Sequence, residues 1–309
     1  MIPRKENFQP GFPKYTGRPD SIRLGELRLR NRFILAPLAG YTNLAFRLAI
    51  RSVGPPGLAT TDLVNARALL LQSRKTMDLI RTNSTDRPLA IQIYGSKANE
   101  MVEAAQWLQN YGIQSVDINM GCPVQKVTRG GGGSALMCEG GSTVELVQKV
   151  VESVSIPVTV KMRLGWDKDQ MTAPYFAREF EKVGVAGITI HGRTRAQGFS
   201  GEVDLEGIRR VVESVEKIPI FGNGDVRSIA GACRMLTETG CAGIAIGRGA
   251  LLNPWFFGQL EKWESQGDPG PPEGYLKRLD FMISHFHHLV EYLGERLACL
   301  NFRKVANWY

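Results

Sequence analysis

Residues 115–137 read SVDINMGCPVQKVTRGGGGSALM. Val116, Ile118 and Met120 alternate with Asp117 and Asn119, the period of a short strand. The strand stops at Gly121, and Cys122 and Pro123 follow. Pro123 fixes its own φ and biases Cys122 toward an extended backbone, which holds the thiol on a stiff corner. The glycines at 130–133 allow a sharp turn or close approach to a ligand. A helix-like stretch resumes near Ser134. The segment is therefore one strand–loop–helix unit with a cysteine at the strand end. Taken alone, that cysteine reads equally as a small buried apolar residue in a tight turn.

The same unit recurs along the chain. Apolar strand-like runs occupy 33–37, 58–64, 89–94, 115–119, 158–162, 187–191, 218–221 and 243–246. Amphipathic stretches such as 99–111, 143–154 and 228–239 lie between them. Eight such units predict an α/β fold of the (β/α)₈ TIM-barrel type, usually about 250 residues. An open doubly wound sheet fits less well, because no G-x-G-x-x-G follows the first strand. Residues 24–29 are expected to form a hairpin across the barrel bottom. Residues 1–20, with Pro3, Pro10, Pro13 and Pro19, read as an irregular arm. Three parts are expected: an N-terminal arm leading into the barrel at 1–30, a barrel at 31–258, and a small C-terminal helical domain at 267–309. The segment GDPGPPEG at 267–274 punctuates the last two. Beyond it, Leu279, Met282, Ile283, Phe286, Leu289, Val290 and Leu293 follow helical spacing. Gly294 breaks the run before a second helix. His285, His287 and His288 have no carboxylate or cysteine spacing beside them, so they read as packing or solvated residues and no metal is expected.

Composition excludes several classes. The 309 residues are 43% hydrophobic and 22% charged, as in a soluble globular protein. The cysteines, Cys122, Cys138, Cys233, Cys241 and Cys299, form no CxxC pair and are odd in number. A cytoplasmic, reducing compartment is expected. No apolar leader opens the sequence, and no run is long enough to span a membrane. The net charge of +8 favours a polyanionic partner.

Polar residues cluster at the ends of the strand-like runs: Gln92, Asn119, Cys122, Lys161, Arg163, His191, Arg193, Asn223, Asp225 and Arg248. In a barrel these ends open on one face, where active sites sit. The last two loops, FGNGD (221–225) and IGRGA (246–250), suit a phosphate, with glycines for close approach and Arg248 for charge. No Gly-Lys dipeptide exists, so there is no Walker A loop. Lys161, within the apolar run VTVKMR, must face something negative or bear a desolvation cost. Gln92 is placed to bond the pyrimidine edge of a flavin. FMN across the barrel mouth fits these loops best; a sugar-phosphate substrate is the competitor.

Seven motifs occur in order: APLAGYT (36–42) with Phe46-Arg47, QIYG (92–95), DINMGCP (117–123), VKMR (160–163), HGRT (191–194), GNGD (222–225) and GRG (247–249). With them the chain resembles the tRNA-dihydrouridine synthases, from about Arg30 to Trp255. A weaker echo lies in Phe302-Arg-Lys304 and Trp308-Tyr309. The segment around Asn119 and Cys122 is the most specific. The resemblance implies that Pro37, Leu38, Ala39, Gln92, Lys161 and His191 contact the flavin. It also implies that Asn223, Gly224, Asp225, Gly247 and Arg248 contact its phosphate and ribityl chain. Asn119 would face the target uracil, and Cys122 would be the catalytic acid. The implied reaction reduces the C5–C6 bond of a tRNA uridine, with hydride from reduced FMN to C6, a proton from Cys122 to C5, and NADPH as reductant. Lys126, Arg129, Arg193 and Arg195 are expected to ring the mouth and meet phosphates of the tRNA. A monomer is expected.

Three positions depart from the family pattern. Asp62 stands where Glu is commoner, Val305 stands where His is usual, and the sequence ends at Tyr309 where relatives usually continue. The last departure leaves open whether the RNA-binding appendage expected at 267–309 is complete. It is only weakly basic, Lys277, Arg278, Arg296, Arg303 and Lys304 facing Asp280, Glu291 and Glu295. Two other classes fit parts of the pattern: an FMN-dependent small-molecule pyrimidine oxidoreductase of the same barrel type, and a non-catalytic RNA-binding protein on a relic barrel. The helical appendage and basic charge favour RNA over a free pyrimidine.

Overall fold

The computed structural model describes residues 21–309; the arm expected at 1–20 lies outside the described residues. A short hairpin, β1 (Ile22–Leu24) and β2 (Leu27–Leu29), turns at Gly25, whose φ is +54°. The barrel strands follow as β3 (Phe33–Leu35), β4 (Ala59–Thr60), β5 (Val64–Asn65), β6 (Leu89–Tyr94), β7 (Ser115–Met120), β8 (Val158–Arg163), β9 (Gly187–His191), β10 (Ile220–Asn223) and β11 (Gly243–Ile246). All barrel pairings are parallel. The order β4-β3-β11-β10-β9-β8-β7-β6-β5, with β4 also bonded to β6, closes the ring. Because β4 and β5 are pieces of one position, eight positions form a TIM barrel.

That interruption corrects the continuous strand expected at 58–64. Asp62 takes the backbone out of the ladder: its carboxylate accepts from Leu63 N and from Gly40 N, each at 2.7 Å. The seventh strand also begins later than expected at 218. The N–H groups of Lys217 and Ile218 donate instead to the Glu181 carboxylate, at 2.6 and 3.1 Å.

Parallel strands covered on both faces bury both sets of side chains. The outward set, including Phe33, Leu35, Ile91, Ile118, Val160 and Ile190, packs against the helical ring. The inward set near the bottom, Ile34, Ala36, Ala90, Phe221 and Ala245, forms a separate cluster with Ile22, Leu24 and Leu29 of the hairpin. The hairpin thus plugs the barrel floor, and the cavity can exist only toward the strand ends. Helices Ala98–Tyr111, Gly140–Ser153 and Ile229–Thr239 lie near the expected positions. Ser228 caps the last by accepting from Gly231 N.

The helix Phe256–Gln266 runs through residue 258, where the barrel was expected to end. Its Phe256, Phe257, Leu260 and Trp263 are buried in the outer core, so it packs with the barrel. Helices Tyr275–Leu293 and Glu295–Val305 then pack on each other, with Gly294 between them, and the first also lies on helix Leu44–Val53. His285 is a packing residue. It is 1% exposed, its ring lies tilted against Phe46 with centroids 5.7 Å apart, and it pairs through Nδ1 with the Tyr309 hydroxyl at 2.8 Å.

Candidate active site

Above the apolar floor the inward positions turn polar: Asp117, Asn119, Thr159, Lys161, Thr189, His191 and Asn223. They lead into a cavity of about 390 Å³ at the strand ends. Strand register places Gln92 beside Asp117, Asn119 beside Lys161, and Asn223 beside His191.

The thiol loop is held from three sides. Asn119 Oδ1 accepts from Gly121 N at 3.2 Å and Cys122 N at 3.0 Å. The Cys122 carbonyl accepts from both Ser134 N and Ser134 Oγ, at 3.1 and 3.0 Å. Arg163 Nε donates to the Gly121 carbonyl at 2.7 Å. Gly133 sits at φ +60°, and a Cβ there would lie 2.7 Å from the Cys122 carbonyl oxygen. The cysteine that the sequence left ambiguous lines the cavity on a braced corner.

Lys161 lines the same cavity. Among the described residues its ammonium has no hydrogen-bond or ion-pair partner. Burial, and then the charge of Arg163, lower its pKa to about 8, while Asp117 opposes the shift. Burial, followed by the cations Lys161, Arg163, Arg193 and Arg248, pushes the His191 pKa far down, so its imidazole is neutral at working pH. Gln92 is 1% exposed and bonded at both ends of its amide, to Asp117 and Asn119.

The last two loops line the same cavity. Gly224, at φ +123°, lies against Val203 and His191, where a side chain would collide. Asp225, at φ +53°, faces Arg193, Arg248 at 3.1 Å and Arg227 at 3.9 Å. Pro37, Leu38 and Ala39 form a third wall, and Gly247, Arg248 and Asn223 complete the lining. A half-buried cation without a partner, together with the glycines and arginines of the last two loops, suits an anionic ligand. No group of three or more His, Cys, Asp or Glu side chains suited to a metal occurs among the described residues.

Of the four basic residues expected on the rim, Arg193 is a correction. It is 2% exposed, and its guanidinium is committed to the Ser200 carbonyl at 3.1 Å, the Gly201 carbonyl at 2.6 Å and the Asp225 carboxylate. The loop after β9 folds back over it. Arg195 is half-buried and stacks on Trp166 at 4.4 Å. Lys126 and Arg129 are exposed at the short helix Gln125–Thr128, outside the cavity lining.

Sequence reasoning did not assign Phe199, Trp308 or Tyr41 to the site, yet all three line the cavity. Phe199 is 64% exposed and lies under two guanidinium groups, Arg163 at 5.5 Å and Arg248 at 5.4 Å. Nothing in its local sequence signals this. Arg163 was legible as a strand-end residue, but its work of bracing the thiol loop was not. Trp308 reaches the mouth from the far end of the chain, edge-on to Tyr41 at 6.3 Å.

The family model described as dihydrouridine synthase matches residues 34–309. A probable tRNA-dihydrouridine synthase of Rickettsia bellii is 36% identical over 93% of this chain and 88% of its own length. One from Rhodobacter capsulatus is 38% identical over 94% and 89%. The tRNA-dihydrouridine synthase B of Pseudomonas aeruginosa is 35% identical over 93% and 86%. Among solved structures, morphinone reductase in complex with tetrahydroNAD superposes with a TM-score of 0.56 at 15% identity, over 84% of this chain and 96% of that one. Histamine dehydrogenase from Rhizobium gives 0.61 at 13%, over 89% and 51%. At such low identity these two structures speak for the barrel fold alone. No helix among the described residues is long and apolar enough to cross a membrane.

Proposed function

The chain belongs to the dihydrouridine synthase family, and from that premise we propose that it reduces uridines in tRNA to 5,6-dihydrouridine, using FMN in the barrel mouth and NADPH as reductant. The observation that carries this reading is one cavity lined both by a half-buried cation without a partner, Lys161, and by a thiol on a braced loop, Cys122.

Pro37, Leu38, Ala39, Gln92, Lys161 and His191 would hold the flavin ring. Asn223, Gly224, Gly247 and Arg248 would hold its ribityl and phosphate groups, with Asp225 keeping Arg193 and Arg248 in place. FMN, when bound and reduced, supplies a hydride to uracil C6. Addition at C6 leaves the electron pair at C5, conjugated with the C4 carbonyl. Cys122 gives its proton to C5 and is then reprotonated from solvent; a positioned acid is worth roughly 10²- to 10⁴-fold. Asn119 would face the uracil edge, and neutral His191 adds no charge that would oppose Lys161. A uridine reaches this depth only when turned out of its stack. Lys126, Arg129 and Arg195 would meet tRNA phosphates, with the helices from residue 275 onward as the RNA-binding appendage.

The test is direct. Protein purified under mild conditions should show visible flavin absorption. With NADPH it should form dihydrouridine in tRNA from a strain lacking the gene. A colourless preparation that binds no added FMN would sink the cofactor assignment. A flavoprotein that reduced free pyrimidines but not tRNA would redirect the reading to small molecules.

A further inference from the structure

The barrel interior and the thiol loop are joined by a row of hydrogen bonds with a single direction. Cys122 N and Gly121 N donate to Asn119 Oδ1. Asn119 Nδ2 donates to Gln92 Oε1 at 2.7 Å, and Gln92 Nε2 donates to Asp117 Oδ2 at 2.6 Å. Thr159 Oγ1 closes the row from the other side, donating to Asp117 Oδ1 at 2.6 Å. The direction follows from chemistry and not from how the amides are drawn. A backbone N–H can only donate, so Asn119 must turn its oxygen to the loop and its nitrogen to Gln92. Gln92 must then donate onward, and only an acceptor can end the row. Asp117, Gln92 and Asn119 are 5%, 1% and 7% exposed, so an unmatched partner would be costly.

The geometry points to Asp117 as a positioning residue: the acceptor that ends this row, fixing both amides and, through Asn119, the thiol loop. This rests on the uridine reading for its consequence. Asn119 lines the cavity, and the one polar valence it has left there is an N–H. A pyrimidine must therefore present an acceptor to it, such as a uracil carbonyl oxygen, and not the amino group of a cytosine. Burial raises the Asp117 pKa, while the bonds from Thr159 and Gln92 lower it; in either protonation state an oxygen remains to accept.

Asp117→Leu and Asp117→Asn in the flavin-loaded full chain test the assignment. Asn keeps an oxygen for Gln92 and can donate its nitrogen to Thr159 Oγ1; Leu does neither. In Asp117→Leu, amide exchange at Gly121 and Cys122 should quicken by about tenfold, the worth of roughly one buried hydrogen bond. The turnover number with tRNA should fall by about tenfold or more while KM stays within about twofold, as for lost positioning rather than lost binding. Asp117→Asn should recover most of both losses. Unchanged exchange in Asp117→Leu would overturn the proposal, as would an Asn variant as impaired as Leu. Should the Leu variant not fold, Gln92→Met breaks the row at its middle and must quicken the same two amides. If exchange shifts as expected but the wild-type protein makes no dihydrouridine, the uridine reading fails and the positioning role stands.

Discussion

Cys122 and Lys161 owe their chemistry to their surroundings. Cys122→Ala should retain FMN, NADPH-driven reduction and tRNA binding, while reoxidation of reduced flavin by tRNA slows roughly 10²- to 10⁴-fold. Anaerobic single-turnover absorbance isolates that step, and a wild-type rate would return the thiol to a packing role. Lys161 should trade stability for binding. Its folded pKa of about 8 lies below the ordinary 10.5. Between those values the unfolded chain keeps a proton that the folded, flavin-free chain has released. Stability of the flavin-free protein should therefore rise as pH climbs through this window. At pH 7 the folded state holds the charge at a cost, so flavin-free Lys161→Met should melt above wild type while binding FMN more weakly. Differential scanning calorimetry and a fluorescence titration check the two halves, and a lower melting point would refute the first.

At the scale of elements, the loops matter more than the strands they leave. Gly133→Ala must place a Cβ against the Cys122 carbonyl in a left-handed backbone, at a cost of about 1–3 kcal/mol. Reoxidation by tRNA should suffer with it. Gly141 opens the helix Gly140–Ser153 with nothing near its Cβ position and no left-handed φ. Gly141→Ala should instead stabilise by about 0.4–1 kcal/mol. Chemical denaturation of the pair separates a glycine that shapes the site from one that does not. The loop after β9 shows the same principle with charge. Arg163 bonds the carbonyls of Thr194 and Gly198, and Arg193 those of Ser200 and Gly201, so both arginines build the loop that carries Phe199.

Across the whole molecule, the exposed cations should govern encounter with tRNA. Lys126→Ala and Arg129→Ala should each lower the slope of log affinity against log salt by roughly 0.7–0.9 if each meets one phosphate. Arg193→Ala should leave the slope alone and lower the melting temperature, because it removes the buried donor to the Ser200 and Gly201 carbonyls and one of the cations paired with Asp225. Filter binding across a salt series distinguishes these outcomes, and an unchanged slope in the Lys126/Arg129 double variant would move the docking surface elsewhere. The C-terminal helices also reach the site. Tyr309 is anchored on His285, and Trp308 beside it walls the mouth.

The sequence by itself determined the barrel, because eight apolar runs alternating with amphipathic stretches have few other ways to bury both faces of a parallel sheet. It also determined the strand-end residues, since period-two alternation sends Asn119, Lys161, His191 and Asn223 inward whatever surrounds them. Only the tertiary structure decided what depends on distant segments meeting. Arg193 and Lys126 look alike in the sequence, and burial under a returning loop separates them. Asp62 breaks a strand by bonding Gly40, 22 residues earlier in the chain. Phe199, Tyr41 and Trp308 share one cavity although they lie on three separate segments. Periodicity is local and survives in one dimension; hydrogen-bond partners across loops and the burial of a charge are properties of the closed chain.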